Sequence, residues 1–171
     1  ARHDTSGVNL RSTFADSTWR AGVDALSVGA TKNGAVGAEA LLFFGGDGAA
    51  RVPFLRKRGG HLLSKMRFVS AQLEAYLTDD LWRRNATHAN AMAQKLAAGL
   101  RAIPGARVLH PVEANELFVE LPRPVLAGLR DAGRNPPPWG AAEGTAVRLV
   151  PAFDTHGAAP RAFIPAPQAL A

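Results

Sequence analysis

The sequence predicts an α/β fold, and three observations predict it. Short runs of strand character recur at 23–28, 38–44, 107–109, 116–121 and 145–150. Between them lie segments whose apolar residues recur at helical spacing, over 62–77 and 78–100. The texture changes after Pro104-Gly105, which places a boundary near 95–105 between two α/β parts.

Taken in order, residues 1–20 are polar and irregular, with Gly7 the only strong turn former. Val23–Val28 alternates apolar and polar residues and reads as a strand. Gly29–Gly34 is a turn of small residues carrying Lys32. Ala38–Phe44, closed by Gly45-Gly46, is a second short strand. Two short strands about such a turn mark a sheet edge or rim rather than a helix bundle. Residues 51–67 are a basic block of Arg51, Arg56, Lys57, Arg58, Lys65 and Arg67, and no acid occurs between Asp47 and Glu74. A helix is predicted over Leu62–Leu77, with Met66, Val69, Leu73 and Leu77 on one face. Thr78 is read as the N-cap of the next helix, with Asp79 and Asp80 at the positive end of its dipole. That helix runs to Leu100, its stripe made by Leu81, Ala89, Met92, Ala93, Leu96 and Leu100. Strands are predicted next at Arg107–Leu109 and Glu116–Leu121, then a short helix at Val125–Ala132. Pro136–Pro138 is a loop, Thr145–Val150 a strand, and a helix through 156–171 would be broken by Pro160, Pro165 and Pro167.

The chain has 171 residues and 18.0 kDa, about enough for one domain and short for two. Its 47% hydrophobic and 20% charged residues are ordinary globular usage and argue against disorder. Alanine (33) and glycine (17) make 50 of the 171 residues, so the core is built from small side chains. The absence of cysteine excludes disulfides, thiolate catalysis and Cys-based zinc sites. No apolar run approaches the roughly 20 residues of a membrane-spanning helix. ARHDTSGVNL has no signal-peptide shape, and a cytoplasmic location is expected.

Several residues carry alternative readings. Lys32, among Gly, Ala and Thr, is either a solvated surface lysine or a Schiff-base lysine. Small neighbours let a flat cofactor approach the backbone, and desolvation would lower the amine pKa. Arg56-Lys57-Arg58, with only Phe54 beside it, reads as a solvated or subunit-facing surface rather than a nucleic-acid patch. His61 is a general-base candidate or an interface or partly buried histidine. His88 and His110 lack metal-ligand spacing and are read as structural. Asn115 is either a contact for a substrate carboxylate or an ordinary turn residue. Met66 and Met92 are assigned to the core.

Read as a string, the lysine segment is more specific. Trp19-Arg20-Ala21-Gly22-Val23-Asp24-Ala25-Leu26-Ser27-Val28-Gly29-Ala30-Thr31-Lys32-Asn33-Gly34-Ala35 closely resembles the lysine region of low-specificity L-threonine aldolases. These are fold-type I, pyridoxal-phosphate enzymes. The resemblance continues through Arg56–Phe68, Ala71–Leu77, Asn85–Asn90 and Pro111–Asn115, and returns at Val147–Val150.

The resemblance implies the C-terminal part of such an enzyme. Residues 1–98 would be the lysine-bearing end of the large domain plus a linking helix, and 99–171 the small α/β domain. Lys32 matches the lysine bonded to pyridoxal 5'-phosphate. Arg148 matches the arginine that holds the substrate α-carboxylate, a planar anion suited to a bidentate guanidinium. Ala1-Arg2 fits the end of the family's Asp-Gly-Ala-Arg motif, which assigns Arg2 to the cofactor's phenolic oxygen. Arg67 matches a basic residue near the cofactor or subunit interface. The implied reaction is cleavage of a β-hydroxy-α-amino acid to glycine and an aldehyde, in a homo-oligomer without nucleic-acid or membrane partners. The family's first half is missing from this sequence, including the aspartate for the pyridine nitrogen, the stacking histidine and the main phosphate loop. Residues 3–15, 135–138 and the tail from His156 diverge. The isolated chain is therefore expected to bind the cofactor poorly and to turn over slowly or not at all. Two other readings stand beside this one. One is a different fold-type I lyase or aminotransferase, and the other is a non-catalytic module that binds an anionic partner through its basic 51–67 face.

Overall fold

Strands β1 (Ala25–Gly29) and β2 (Glu39–Phe43) pair antiparallel in the computed structural model, which describes residues 13–45, 47–140, 144–159 and 163. Their register sets Ala25 opposite Phe43 and Gly29 opposite Glu39. The Glu39 carboxylate lies across Gly29, in the space a Cβ would take, so a larger residue there would displace this exposed side chain. Between the strands a single 3-10 turn, Thr31–Asn33, is closed by Asn33 N and Ala35 N donating to Ala30 O at 3.0 and 3.1 Å. Ala30 and Ala38, which flank the turn, are buried, and Ala30 N donates to Ala38 O at 3.0 Å.

Helix α1 (Val52–Arg58) comes next, with Pro53 in its first turn, where a missing N–H costs no hydrogen bond. The basic run Arg56-Lys57-Arg58 reads from sequence as surface, and no helix is expected ahead of Leu62. No apolar stripe marks α1, because none of its residues is buried. Helix α2 (Arg67–Leu77) begins later than the predicted Leu62. Lys65 has φ of 58°, a left-handed conformation that a right-handed helix cannot continue through. Leu77, expected on the apolar face, is exposed; the residue that α2 buries is Tyr76. Met66 is half-buried at the helix start rather than in the core.

Thr78 does not cap the next helix. Its hydroxyl donates back to Glu74 O at 2.7 Å and so closes α2, while Asp79 and Asp80 take φ of 50° and 55° to turn the chain. Helix α3 (Leu81–Arg101) starts immediately afterwards. Its predicted stripe is buried from Ala89 through Leu100.

The described residues gather into two compact units, divided between Asn85 and Ala86. The second unit holds a three-stranded antiparallel sheet in the order β3 (Arg107–Val108), β4 (Leu117–Glu120), β5 (Ala146–Leu149). Leu117 pairs with Leu149, and Val119 with Val147, so alternate residues of β4 and β5 face one side. Helix α4 (Arg123–Asp131) buries Val125, Leu126 and Leu129 in the same apolar cluster as those residues, Leu100 and Ile103. The Pro136–Pro138 loop makes one isolated bridge, Pro138 to Val147. The proline-rich tail from Pro160 lies, apart from Phe163, outside the described residues. Among the described residues no helix is long and apolar enough to cross a membrane.

Ahead of β1, Thr13 and Asp16 bond each other reciprocally. Asp16 Oδ2 accepts from Thr13 N at 3.0 Å and Thr13 Oγ1 at 2.6 Å, and Asp16 N donates to Thr13 Oγ1 at 3.2 Å. Arg20 Nη1 adds a bond to Asp16 Oδ1 at 2.8 Å. The Thr13 hydroxyl first, then Arg20, pulls the carboxyl from 3.8 to about 2. A carboxyl lowered on folding stabilises fully above its ordinary range, and that stabilisation is lost as pH falls through the folded value. NMR titration should therefore place the Asp16 midpoint near 2, well below the ordinary value. Asp16→Asn should remove that part of the acid dependence of the first unit's stability.

Candidate functional site

Lys32 stands on the 3-10 turn between β1 and β2, and the residues just after the lysine hold that turn in place. Asn33 is buried, at 3% exposure. Its Nδ2 donates to Tyr76 Oη at 2.7 Å and to Trp82 O at 3.0 Å. Asn85 Nδ2 donates to Asn33 O at 2.8 Å. Farther along the loop, Gln72 Oε1 accepts from Val36 N at 3.0 Å and Gly37 N at 3.1 Å. Gln72 and Tyr76 are one helical turn apart on α2, so the same face of that helix grips both ends of the lysine loop. Lys32 itself is exposed and, among the described residues, forms no side-chain hydrogen bond or ion pair.

Arg67 opens α2, is exposed, and carries its guanidinium 4.8 Å from the Phe68 ring centroid. Arg2 lies outside the described residues. Arg148 sits in β5 of the second unit, half-buried, with its Nε donating to Glu116 Oε1. The Glu116 side chain is 19% exposed. Backbone bonds fix the strand on both sides: Arg148 pairs with Phe118, and its N donates to Pro137 O at 3.0 Å.

Asn115 donates from Nδ2 to Pro151 O at 2.8 Å, tying the approach to β4 to the segment after β5. His88 has the same kind of role: its Nε2 lies 2.8 Å from Thr155 O. His61 is exposed rather than partly buried, and its carbonyl accepts from Arg56 Nε at 3.3 Å. His110 packs edge-on against Phe118 at 5.6 Å. No cluster of three or more metal-ligating side chains occurs among the described residues.

Sequence reasoning missed Glu116 as the partner of Arg148, and also the grip of Gln72, Tyr76 and Asn85 on the lysine turn. A signal existed for the second: Gln72 and Tyr76 are the polar pair at i, i+4 in a helix otherwise read for its apolar residues.

No protein-family profile matches the chain. It is 43% identical over 133 residues to a protein named Low specificity L-threonine aldolase from Pseudomonas sp., and 42% identical over 133 residues to one of the same name from Pseudomonas aeruginosa. Each match takes in 78% of this chain and 38% of the relative, so the chain spans well under half the length of these proteins. In fold it is similar to the threonine aldolase of Leishmania major, with a TM-score of 0.80 and 26% identity over 95% of this chain and 48% of that one. By sequence and by its α/β fold, this chain is homologous to part of a low-specificity L-threonine aldolase.

Proposed function

We propose that this chain is the C-terminal portion of a pyridoxal-phosphate-dependent carbon–carbon lyase. Its substrates would be L-threonine, L-allo-threonine and related β-hydroxy-α-amino acids, cleaved to glycine and an aldehyde. The observation that carries the reading is the 43% identity over 133 residues to a low-specificity L-threonine aldolase. In this reading residues 1–98 belong to the large domain and 99–171 form the small one. The working enzyme is a cytoplasmic homo-oligomer.

The side chains fit the group in kind. Lys32 has an unengaged side chain on a turn flanked by alanine and glycine, which leave the backbone approachable. Lys32 would hold pyridoxal phosphate through Nζ, with Arg2 and Arg67 as its cationic neighbours. When bound, the cofactor supplies the electron sink that makes Cα–Cβ cleavage accessible. The protein's share is binding and orientation. Arg148 pairs through its guanidinium with the substrate α-carboxylate, which fixes the Cα bond to be broken. Glu116 holds the Arg148 side chain by its Nε.

The test uses the longer protein from which the chain derives, incubated with pyridoxal phosphate and L-threonine. Aldehyde release is expected, and it should vanish in Lys32→Ala together with the visible absorbance of bound cofactor. A longer protein that binds the cofactor and transfers the amino group without releasing aldehyde would overturn the assignment. The 171-residue chain alone is expected to give weak absorbance and little or no turnover.

A further inference from the structure

We infer that Asn33, Gln72, Tyr76 and Asn85 act as a clamp that positions Lys32. The inference rests on the reading of Lys32 as the cofactor lysine and extends it to residues that have no role in that reading. Lysine side chains on exposed turns sample many rotamers and a mobile backbone. Here the backbone has little freedom. The residue after Lys32 is 3% exposed, and its amide bonds two acceptors that belong to different helices, Tyr76 Oη on α2 and Trp82 O on α3. Its carbonyl is held in turn by Asn85. The next loop residues, Val36 and Gly37, are both bonded by one oxygen of Gln72. Four side-chain groups from two helices and the turn itself thus fix a stretch of chain that contains a single 3-10 turn and no other regular structure.

A buried polar group is tolerated only when its partners are in place, so each bond selects against other placements of the turn. Asn33 is well suited to this task. An aspartate of the same shape has no donor for Trp82 O, and a serine is too short to reach both acceptors. The consequence for Lys32 is that its Cα is set by neighbours while its amine stays open to a reactant. The clamp residues are positioning residues, since they act through the turn and not on a bound molecule.

The experiment uses the full 171-residue chain and two readouts. The first is amide hydrogen exchange at Asn33 and Ala35, whose N–H groups close the turn onto Ala30 O. The second is trapping of pyridoxal phosphate by borohydride, with the modified lysine located by peptide mass spectrometry and Lys57 as a solvated internal control. Asn33→Ala should speed exchange at both amides by about tenfold or more, and Tyr76→Phe, which keeps the ring, by about fivefold. Trapping at Lys32 should fall by similar factors in both variants while trapping at Lys57 stays constant. Unchanged exchange in Tyr76→Phe and in a folded Asn33→Ala overturns the inference. Faster exchange with undiminished trapping at Lys32 overturns it as well. If the parent chain traps the reagent no faster at Lys32 than at Lys57, as the poor cofactor binding expected of the isolated chain allows, amide exchange alone decides the clamp, and the cofactor reading of Lys32 stands or falls on aldehyde release by the longer protein.

Discussion

Leu129→Ala is expected to destabilise the second unit by about 2–5 kcal/mol. Leu129 is 1% exposed in α4 and packs in the cluster that contains Leu117, Val119, Leu121 and Val147. A nine-residue helix is too short to persist on its own, so α4 exists because Val125, Leu126 and Leu129 present one apolar face to the sheet. Truncating the central leucine removes the transfer term and leaves a cavity among residues already bonded into β4 and β5, where collapse is limited. Set against a total of roughly 5–15 kcal/mol for a domain, the change removes a large fraction of the unit's stability and should move its unfolding midpoint to clearly lower urea. Urea denaturation followed by circular dichroism measures it. Leu55→Ala, at a position 52% exposed, should shift the same curve by no more than about 0.5 kcal/mol.

Arg148→Ala should have two separable effects. The first concerns stability: Glu116 would be left with a mostly buried carboxylate that has lost its guanidinium, a loss of about 1–3 kcal/mol. Arg148→Ala combined with Glu116→Gln should recover part of it, because the charge is then gone. The second effect comes from the proposed role in carboxylate binding. In the longer protein the threonine concentration for half-maximal rate should rise by at least about tenfold in Arg148→Ala. The double variant, though stabler, should not restore it. Arg148→Lys should retain the charge and still bind threonine weakly, since an ammonium cannot offer the planar fork. Denaturation curves and saturation kinetics on the same variants keep the two effects apart.

The second unit is legible from sequence because its signals are periodic. Leu117 and Val119 are buried and alternate with the less buried Phe118 and Glu120 in β4, and Ala93, Leu96, Ala97 and Leu100 recur at helical spacing in α3. Burial tracks those periods directly. The first unit is less legible. The hairpin is readable from its alternation and its turn of small residues, but α1 has no buried face to announce it, and α2 starts where the backbone of Lys65 allows rather than where the apolar pattern begins. Thr78 has the right chemistry for an N-cap and uses it for the preceding helix instead, which spacing alone does not distinguish. At the candidate site, likeness of whole strings points to Lys32 and Arg148. It does not point to their partners, since a hydrogen bond across 43 residues, such as Asn33 to Tyr76, leaves no periodic trace.

The β1–β2 hairpin has a consequence for handling the polypeptide. Each strand has a bonded neighbour on one side only among the described residues, and β2 exposes Leu41, Leu42 and Phe43 along its length. Such an outer edge is a row of free peptide groups beside apolar side chains, the pattern from which sheets grow between molecules. Working concentration, rather than thermal unfolding, then becomes the first limit on keeping this polypeptide monodisperse. A lysine or proline introduced on the outer edge of β2 is the remedy that the geometry recommends.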